Sequence, residues 1–258
     1  LRGQWATVAV SAVAVAVFPL AFYSSMRLTG VAVGTVVTIG SAPPAAALIE
    51  RVMDGTRLSR RWAAGTGLGV LGVTALAFAH SDATGTGTAT AGGWRHVAGI
   101  GLGVLGGAIY AHYSSGAARV IRTGIPSRAT MGAIFGLGGL LLMPVMVLTG
   151  STILATRASL AVVAYLALIP MFLGYVLFGR GLASVRASTA TTLSLAEPAA
   201  AAVIAMLVLH EQLTGIAAAG LVLLFASLLT TTIPPRSTSV PMERLTRRTP
   251  TPSRLEQA

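Results

Sequence analysis

Eight apolar runs, at residues 4–23, 30–52, 62–80, 97–116, 129–149, 159–178, 187–209 and 215–233, are separated by short arginine-bearing segments. A helix rises about 1.5 Å per residue and the hydrocarbon core of a bilayer is about 30 Å thick, so roughly 20 apolar residues span it. Each run meets that length. Interior prolines (Pro19, Pro43, Pro44, Pro144, Pro170, Pro198) and frequent glycines argue against helix in water. In lipid they are tolerated, because neighbouring helices satisfy the freed carbonyls. The pattern predicts an all-α integral membrane protein of about eight transmembrane helices and no soluble domain.

Two of these runs repeat one another. Residues 28–47 (LTGVAVGTVVTIGSAPPAAA) lie without a gap over residues 182–201 (LASVRASTATTLSLAEPAAA), 154 positions on. Identities fall at Leu28/Leu182, Val31/Val185, Thr35/Thr189, Thr38/Thr192, Ala42/Ala196 and Pro44/Pro198. After a slip of one residue the match resumes, with Ala63-Ala64-Gly65 over Ala218-Ala219-Gly220. Five membrane crossings separate Pro44 from Pro198, an odd number, so the matching helices run in opposite directions. The repeats therefore have inverted topology, the arrangement by which transporters open a site to alternate sides.

Composition agrees: 54% of the residues are hydrophobic, 10% charged, and mean hydropathy is +0.78, whereas a soluble domain carries about a quarter charged residues. All 18 basic residues are Arg. One set of alternating loops and termini holds fifteen of them (2, 51, 57, 60, 61, 119, 122, 128, 180, 186, 236, 244, 247, 248 and 254), and the other holds Arg27, Arg95 and Arg157. The positive-inside rule makes the rich side cytoplasmic, which puts both termini inside and the chain in the cell membrane. The net charge of +11 sits in arginines that cap apolar spans, so it serves topology and anionic lipid rather than nucleic acid. With no cysteine, disulfides and thiolate metal sites are excluded. The segment 81–93 (SDATGTGTATAGG) reads as a flexible linker, and the Pro-, Ser-, Thr- and Arg-rich tail after Pro234 as disordered.

The segment RASTATTLSLAEPAAAAVIAMLVLHEQLTGIAAAG, at 186–220, resembles the closing part of an EamA domain of the drug/metabolite transporter superfamily: small residues, a Glu-Pro, a His-Glu-x-Leu-Thr turn and a Gly-containing helix. YLALIPMFLGYVLFGRGLASV, at 165–185, fits the helix before it, and AFYSSMRLTGVAVGTVVTIGSAPPAAALIERVMDGTRLSRRWAAGTGLGVLG is similar as a first copy. In that copy Pro43 stands where Glu197 stands in the second, and Thr56 where Glu211 stands. The resemblance implies ten helices in two five-helix repeats, of which this chain holds an incomplete set. Residues 1–80 make a three-helix partial first repeat, 81–96 an extracytoplasmic linker, 97–233 a five-helix second repeat and 234–258 a cytoplasmic tail. Two opening helices of the first repeat are expected upstream of Leu1, a genuine eight-helix form being the alternative. The implied function is secondary transport, by alternating access, of small metabolites such as amino acids, or of drugs, with an exporter the expected direction. No cofactor is implied; the partners are a small-molecule substrate and the bilayer, with a homodimer left open.

Glu197 is the sharpest candidate. It lies eleven residues from Arg186, roughly 16 Å into the membrane and close to the midplane. A carboxylate there is unfavourable unless protonated, paired or facing a wet cavity, and Pro198 frees a backbone carbonyl beside it. Proton coupling, binding of a substrate amine and a packing role as a protonated acid all stand open. Thr38 and Thr192 occupy matching places near Pro44 and Pro198 and offer hydroxyls to a ligand. Tyr110 and Tyr113 share one helix face, with His112 beside them; they line a cavity mouth or, the favoured reading, form an interfacial aromatic belt. Glu50 and Asp54 read as surface charges, and Glu211 as a carboxylate at a helix start.

The hexapeptide GLGVLG occurs at both 67–72 and 101–106 and fits G-x-G-x-x-G. It lies in apolar spans without the strand-turn-helix unit of a dinucleotide site, so these glycines are packing residues, paired as Gly65/Gly69, Gly99/Gly103 and Gly103/Gly107. No P-loop, H-E-x-x-H or G-x-S-x-G occurs, which leaves an intramembrane enzyme or an inactive scaffold as weaker alternatives to a transporter.

Overall fold

The computed structural model describes residues 3–56, 59–84, 93–151, 156–208 and 214–232. The expected tail, Glu211 and residues 85–92 of the expected linker lie outside them. In chain order the helices are α1 (Trp5–Thr29), α2 (Val31–Asp54), α3 (Arg60–Thr84), α4 (Trp94–Arg122), α5 (Ser127–Thr149), α6 (Arg157–Leu166), α7 (Gly174–Leu182), α8 (Ala187–Leu193), α9 (Ala196–Val208) and α10 (Gly215–Thr232). Residues 81–84 of the expected linker continue α3. Among the described residues seven helices are long and apolar enough to cross a membrane; one of them, Arg157–Leu182, runs unbroken from α6 through a π-helical stretch into α7.

Three features depart from plain helix, and each has a local cause. Gly30, at φ 89°, links α1 to α2 through a single residue, a conformation that only glycine adopts without strain. Within Ala167–Leu173, Pro170 can neither donate a backbone hydrogen bond nor accommodate the carbonyl four residues back, and the chain widens into π-helix. The seventh span, expected as one helix over 187–209, is broken at Ser194 and Leu195 into α8 and α9. Here Pro198 has no N–H for the Ser194 carbonyl, which accepts the Glu197 N–H at 3.1 Å instead. That shorter-range bond tightens the turn at the break.

The packing between α3 and α10 carries the symmetry of the sequence repeat. A Cβ placed on Gly72 would lie 2.8 Å from the Gly220 carbonyl and 2.9 Å from the Leu224 nitrogen; one on Gly69 would lie 2.7 Å from the Ser227 hydroxyl, and one on Gly65 3.5 Å from the Ser227 carbonyl. The helices are thus antiparallel. Shifting by the 155 residues that relate Gly65 to Gly220 turns the pair 65/227 into 220/72 and the pair 69/227 into 224/72, both present. A two-fold axis therefore passes through this seam, as inverted repeats require. The backbones approach so closely because the hexapeptide glycines carry no side chain; in lipid, such van der Waals contact drives helix association. Arg61 adds a tie, donating from Nε to the Thr230 carbonyl at 2.8 Å.

α4 is the centre of the bundle. It packs antiparallel to α1, through Gly99 on Leu28 and Thr29 and Gly103 on Ser25, and parallel to α2, through Gly106 and Gly107 on Thr38 and Ala42. The pairs Gly65/Gly69, Gly99/Gly103 and Gly103/Gly107 thus lie at helix contacts, whereas Gly67, Gly101 and the further pair Gly132/Gly136 face open space. The α6–α7 span contrasts with this: no residue of α6 or its π-helical stretch is buried, and only Gly179 and Leu182 of α7 are.

Candidate functional site

Aromatic side chains converge on one region from four helices. Phe18, Phe22 and Tyr23 come from α1, Tyr110 and Tyr113 from α4, Phe135 from α5, and Tyr175 and Phe178 from α7. These are four of the chain's seven Phe and four of its five Tyr, so the cluster is a placement and not an average spread. Its ring pairs include Phe135–Tyr175 at 4.2 Å and Tyr110–Tyr113 at 5.2 Å between centroids. Offset and edge-to-face pairs of this kind add about 0.5–1.5 kcal/mol each beyond their buried area.

This corrects the aromatic-belt reading of Tyr110 and Tyr113. Tyr113 is 1% exposed, and both rings face the bundle interior against Phe18. Their hydroxyls are used inside: Tyr113 meets Tyr175 at 3.2 Å and Tyr110 meets Ser194 at 3.0 Å. Because the Ser194 hydroxyl already donates to the Ala190 carbonyl, Tyr110 is the donor to Ser194.

Ser194 sits at the α8–α9 break, which brings Glu197 to the same place. Glu197 lies in the first turn of α9, its side chain exposed, and within electrostatic reach of Tyr110 and Tyr175. No arginine pairs with it among the described residues; the ion pair present there is Asp54–Arg122, at 3.5 Å on the surface. Pro198, the next residue in that first turn, is half-buried.

The other candidates separate from this group. Thr192 is buried, donates to the Ser188 carbonyl at 2.8 Å and accepts from Thr66 at 3.1 Å, tying α8 to α3. Thr38 is buried against Gly106, one turn from Tyr110, and its hydroxyl has no hydrogen-bond partner among the described residues. Pro44 is exposed.

One expectation is overturned outright. Glu50 is no surface charge: it is 2% exposed, and its two carboxylate oxygens accept from the Ser188 backbone N–H at 3.0 Å and the Ser188 hydroxyl at 2.6 Å. The residues the sequence reading missed (Phe18, Phe22, Phe135, Tyr175, Phe178, Ser194, Ser188) left a faint signal. Phe18/Phe22 and Tyr175/Phe178 fall at helical spacings of four and three, as Tyr110/Tyr113 do, which puts each pair on one helix face.

An all-helical membrane bundle with an internal two-fold, a broken span and a carboxylate beside the break has the architecture of a membrane transporter. Residues 97–233 match the EamA-like transporter family. Over 90% of its length the chain is 32% identical to the uncharacterized transporter YwfM of Bacillus subtilis (strain 168), covering 75% of that protein. A protein of known crystal structure, 17% identical, shares the fold with a TM-score of 0.71 over 88% of this chain and 75% of its own. The chain belongs to the EamA-like transporter family and is a multi-pass membrane protein.

Proposed function

We propose that the chain is an exporter in the cell membrane, with both termini cytoplasmic, that moves small amphipathic molecules bearing an amine and an apolar or aromatic body. The observation that carries this reading is the position of Glu197, without an arginine partner among the described residues, near Tyr110 and Tyr175 of the aromatic cluster at the α8–α9 break. Aromatic faces attract a cation electrostatically and take up apolar surface at the same time. A carboxylate near the membrane midplane requires a proton or a cation. Glu197 then holds one or the other, never both, and exchange of the two couples export to a proton gradient. Tyr110 and Tyr175 orient the amine-bearing end. The two-fold seam between α3 and α10 supplies the motion, since exchange of the repeats' conformations opens the site to alternate sides.

The test is uptake into proteoliposomes of three probes sharing a phenyl ring: phenyltrimethylammonium, phenylalanine and phenylpropionate. The reading predicts movement of at least one of the first two, driven by a pH gradient, and none of the anion. Equal movement of phenylpropionate would exclude Glu197 as the selective group.

A further inference from the structure

Glu50 plays no part in the site just described, yet it is the most completely buried charged side chain on the α2–α8 contact. Its backbone carbonyl closes the C-terminus of α2, accepting from Gly55 and, at 3.4 Å, from Thr56. Its carboxylate reaches across to the start of α8, where both oxygens are taken by Ser188. No arginine neutralises it among the described residues, so two charge-assisted hydrogen bonds hold the buried charge. Removing them without giving the carboxylate water would leave it severely destabilised.

The repeat makes this contact informative. The 154-residue shift that superposes α2 on the α8–α9 span carries Glu50 onto Ile204 and Ser188 back onto Gly34. Exchange of the repeats' conformations would therefore bring Gly34 toward Ile204 at the opposite end, a pair with no polar side chain on either partner; in this structure the two are apart, since a Cβ on Gly34 would meet Met26 and Ile204 is exposed. A transporter of perfectly matched repeats has two end states of equal energy; this one has a polar clasp at the arginine-rich end alone.

We propose that Glu50 and Ser188 form a one-ended latch that keeps the arginine-rich end of the bundle closed and biases the chain toward the state described above. The inference rests on the alternating-access reading for its consequence, since exchange of the repeats parts α2 from α8 at this end and breaks both bonds. Opening then delivers the Glu50 carboxylate to water, which offsets part of the loss and makes the latch reversible.

The natural absence of cysteine allows a direct test. Thr191, fully buried one turn beyond Ser188, and Val37, its repeat counterpart near the opposite end, are replaced singly by cysteine. A charged methanethiosulfonate reagent is then applied to the purified protein in nanodiscs. Loss of the latch through Glu50→Ala or Ser188→Ala should raise the labelling rate of Thr191→Cys about tenfold, the size expected for one charged hydrogen bond. The same variants should lower labelling of Val37→Cys. Ser188→Ala retains the backbone N–H bond and keeps the test open if Glu50→Ala does not fold. Unchanged labelling of both cysteines in a folded variant overturns the latch, and faster labelling of both shows general loosening, which overturns it equally. Reciprocal labelling in a protein that transports none of the probes would retain the latch and remove the transport reading instead.

Discussion

The phenol of Tyr110 and the hydroxyl of Ser194 lie 3.0 Å apart, and this one bond joins the aromatic cluster to the break between α8 and α9. Through it α4, the best-packed helix, fixes the position of the turn that presents Glu197. Ser194 also holds the Glu197 backbone, its carbonyl accepting the Glu197 N–H at 3.1 Å. A three-residue path thus runs from ring cluster to carboxylate.

Tyr110→Phe removes the hydroxyl and keeps the ring. A neutral hydrogen bond of this kind contributes about 1 kcal/mol, so the initial rate of probe uptake should fall about fivefold while thermal stability in detergent shifts little. Tyr110→Leu, which also removes the ring contacts with Phe18, Tyr113 and Phe178, should lower both. A Tyr110→Phe protein with wild-type uptake would detach Ser194 positioning from transport.

The symmetric seam predicts a sharp contrast among glycines that look alike in sequence. Gly72→Ala places a methyl against the Gly220 carbonyl and the Leu224 backbone, and such overpacking costs about 1–3 kcal/mol. Gly67→Ala and Gly101→Ala meet nothing within 4 Å and should be neutral or slightly stabilising. Thermal unfolding in detergent reads the difference; equal melting temperatures for all three would contradict the seam.

Most of the fold was legible because a membrane span is a matter of length and hydropathy, and the bilayer enforces helix whatever the propensity. The inverted repeat was legible from Pro44 over Pro198 and from Ala63-Ala64-Gly65 over Ala218-Ala219-Gly220, and the structure expresses it where the helices of that second match pack together, between α3 and α10. Three things were not legible. The break at Ser194 depends on which donor replaces the missing Pro198 N–H, and Pro19 inside an unbroken α1 shows that proline alone does not decide. Glu50 resembled its surface neighbour Asp54 because the two lie one turn apart on the same helix face, and only the tertiary contact with α8 buries the first while the second meets Arg122 at the surface. The aromatic cluster needs tertiary contacts between α1, α4, α5 and α7, which spacing within one helix cannot supply.

The proposed orientation follows from the fifteen-to-three division of arginines. Single cysteines at Ser59 and Ser127, beside the rich segments, should react with an impermeant thiol reagent only after cells are permeabilised. One at Ser151, exposed on the loop between α5 and α6, should react in intact cells. Labelling of Ser59→Cys from outside would invert the assignment.

The most direct measurement concerns Glu197. In proteoliposomes carrying a pH gradient, Glu197→Gln keeps shape and hydrogen-bonding capacity but holds neither proton nor ammonium as a counter-charge. The account predicts a folded, inserted protein whose gradient-driven uptake of phenyltrimethylammonium or phenylalanine falls at least about tenfold, equivalent to about 1.4 kcal/mol of lost interaction. What uptake remains should no longer depend on pH. Wild-type uptake and an unchanged pH profile in Glu197→Gln, with instability confined to Glu197→Ala, would make the residue a packing group and contradict the account.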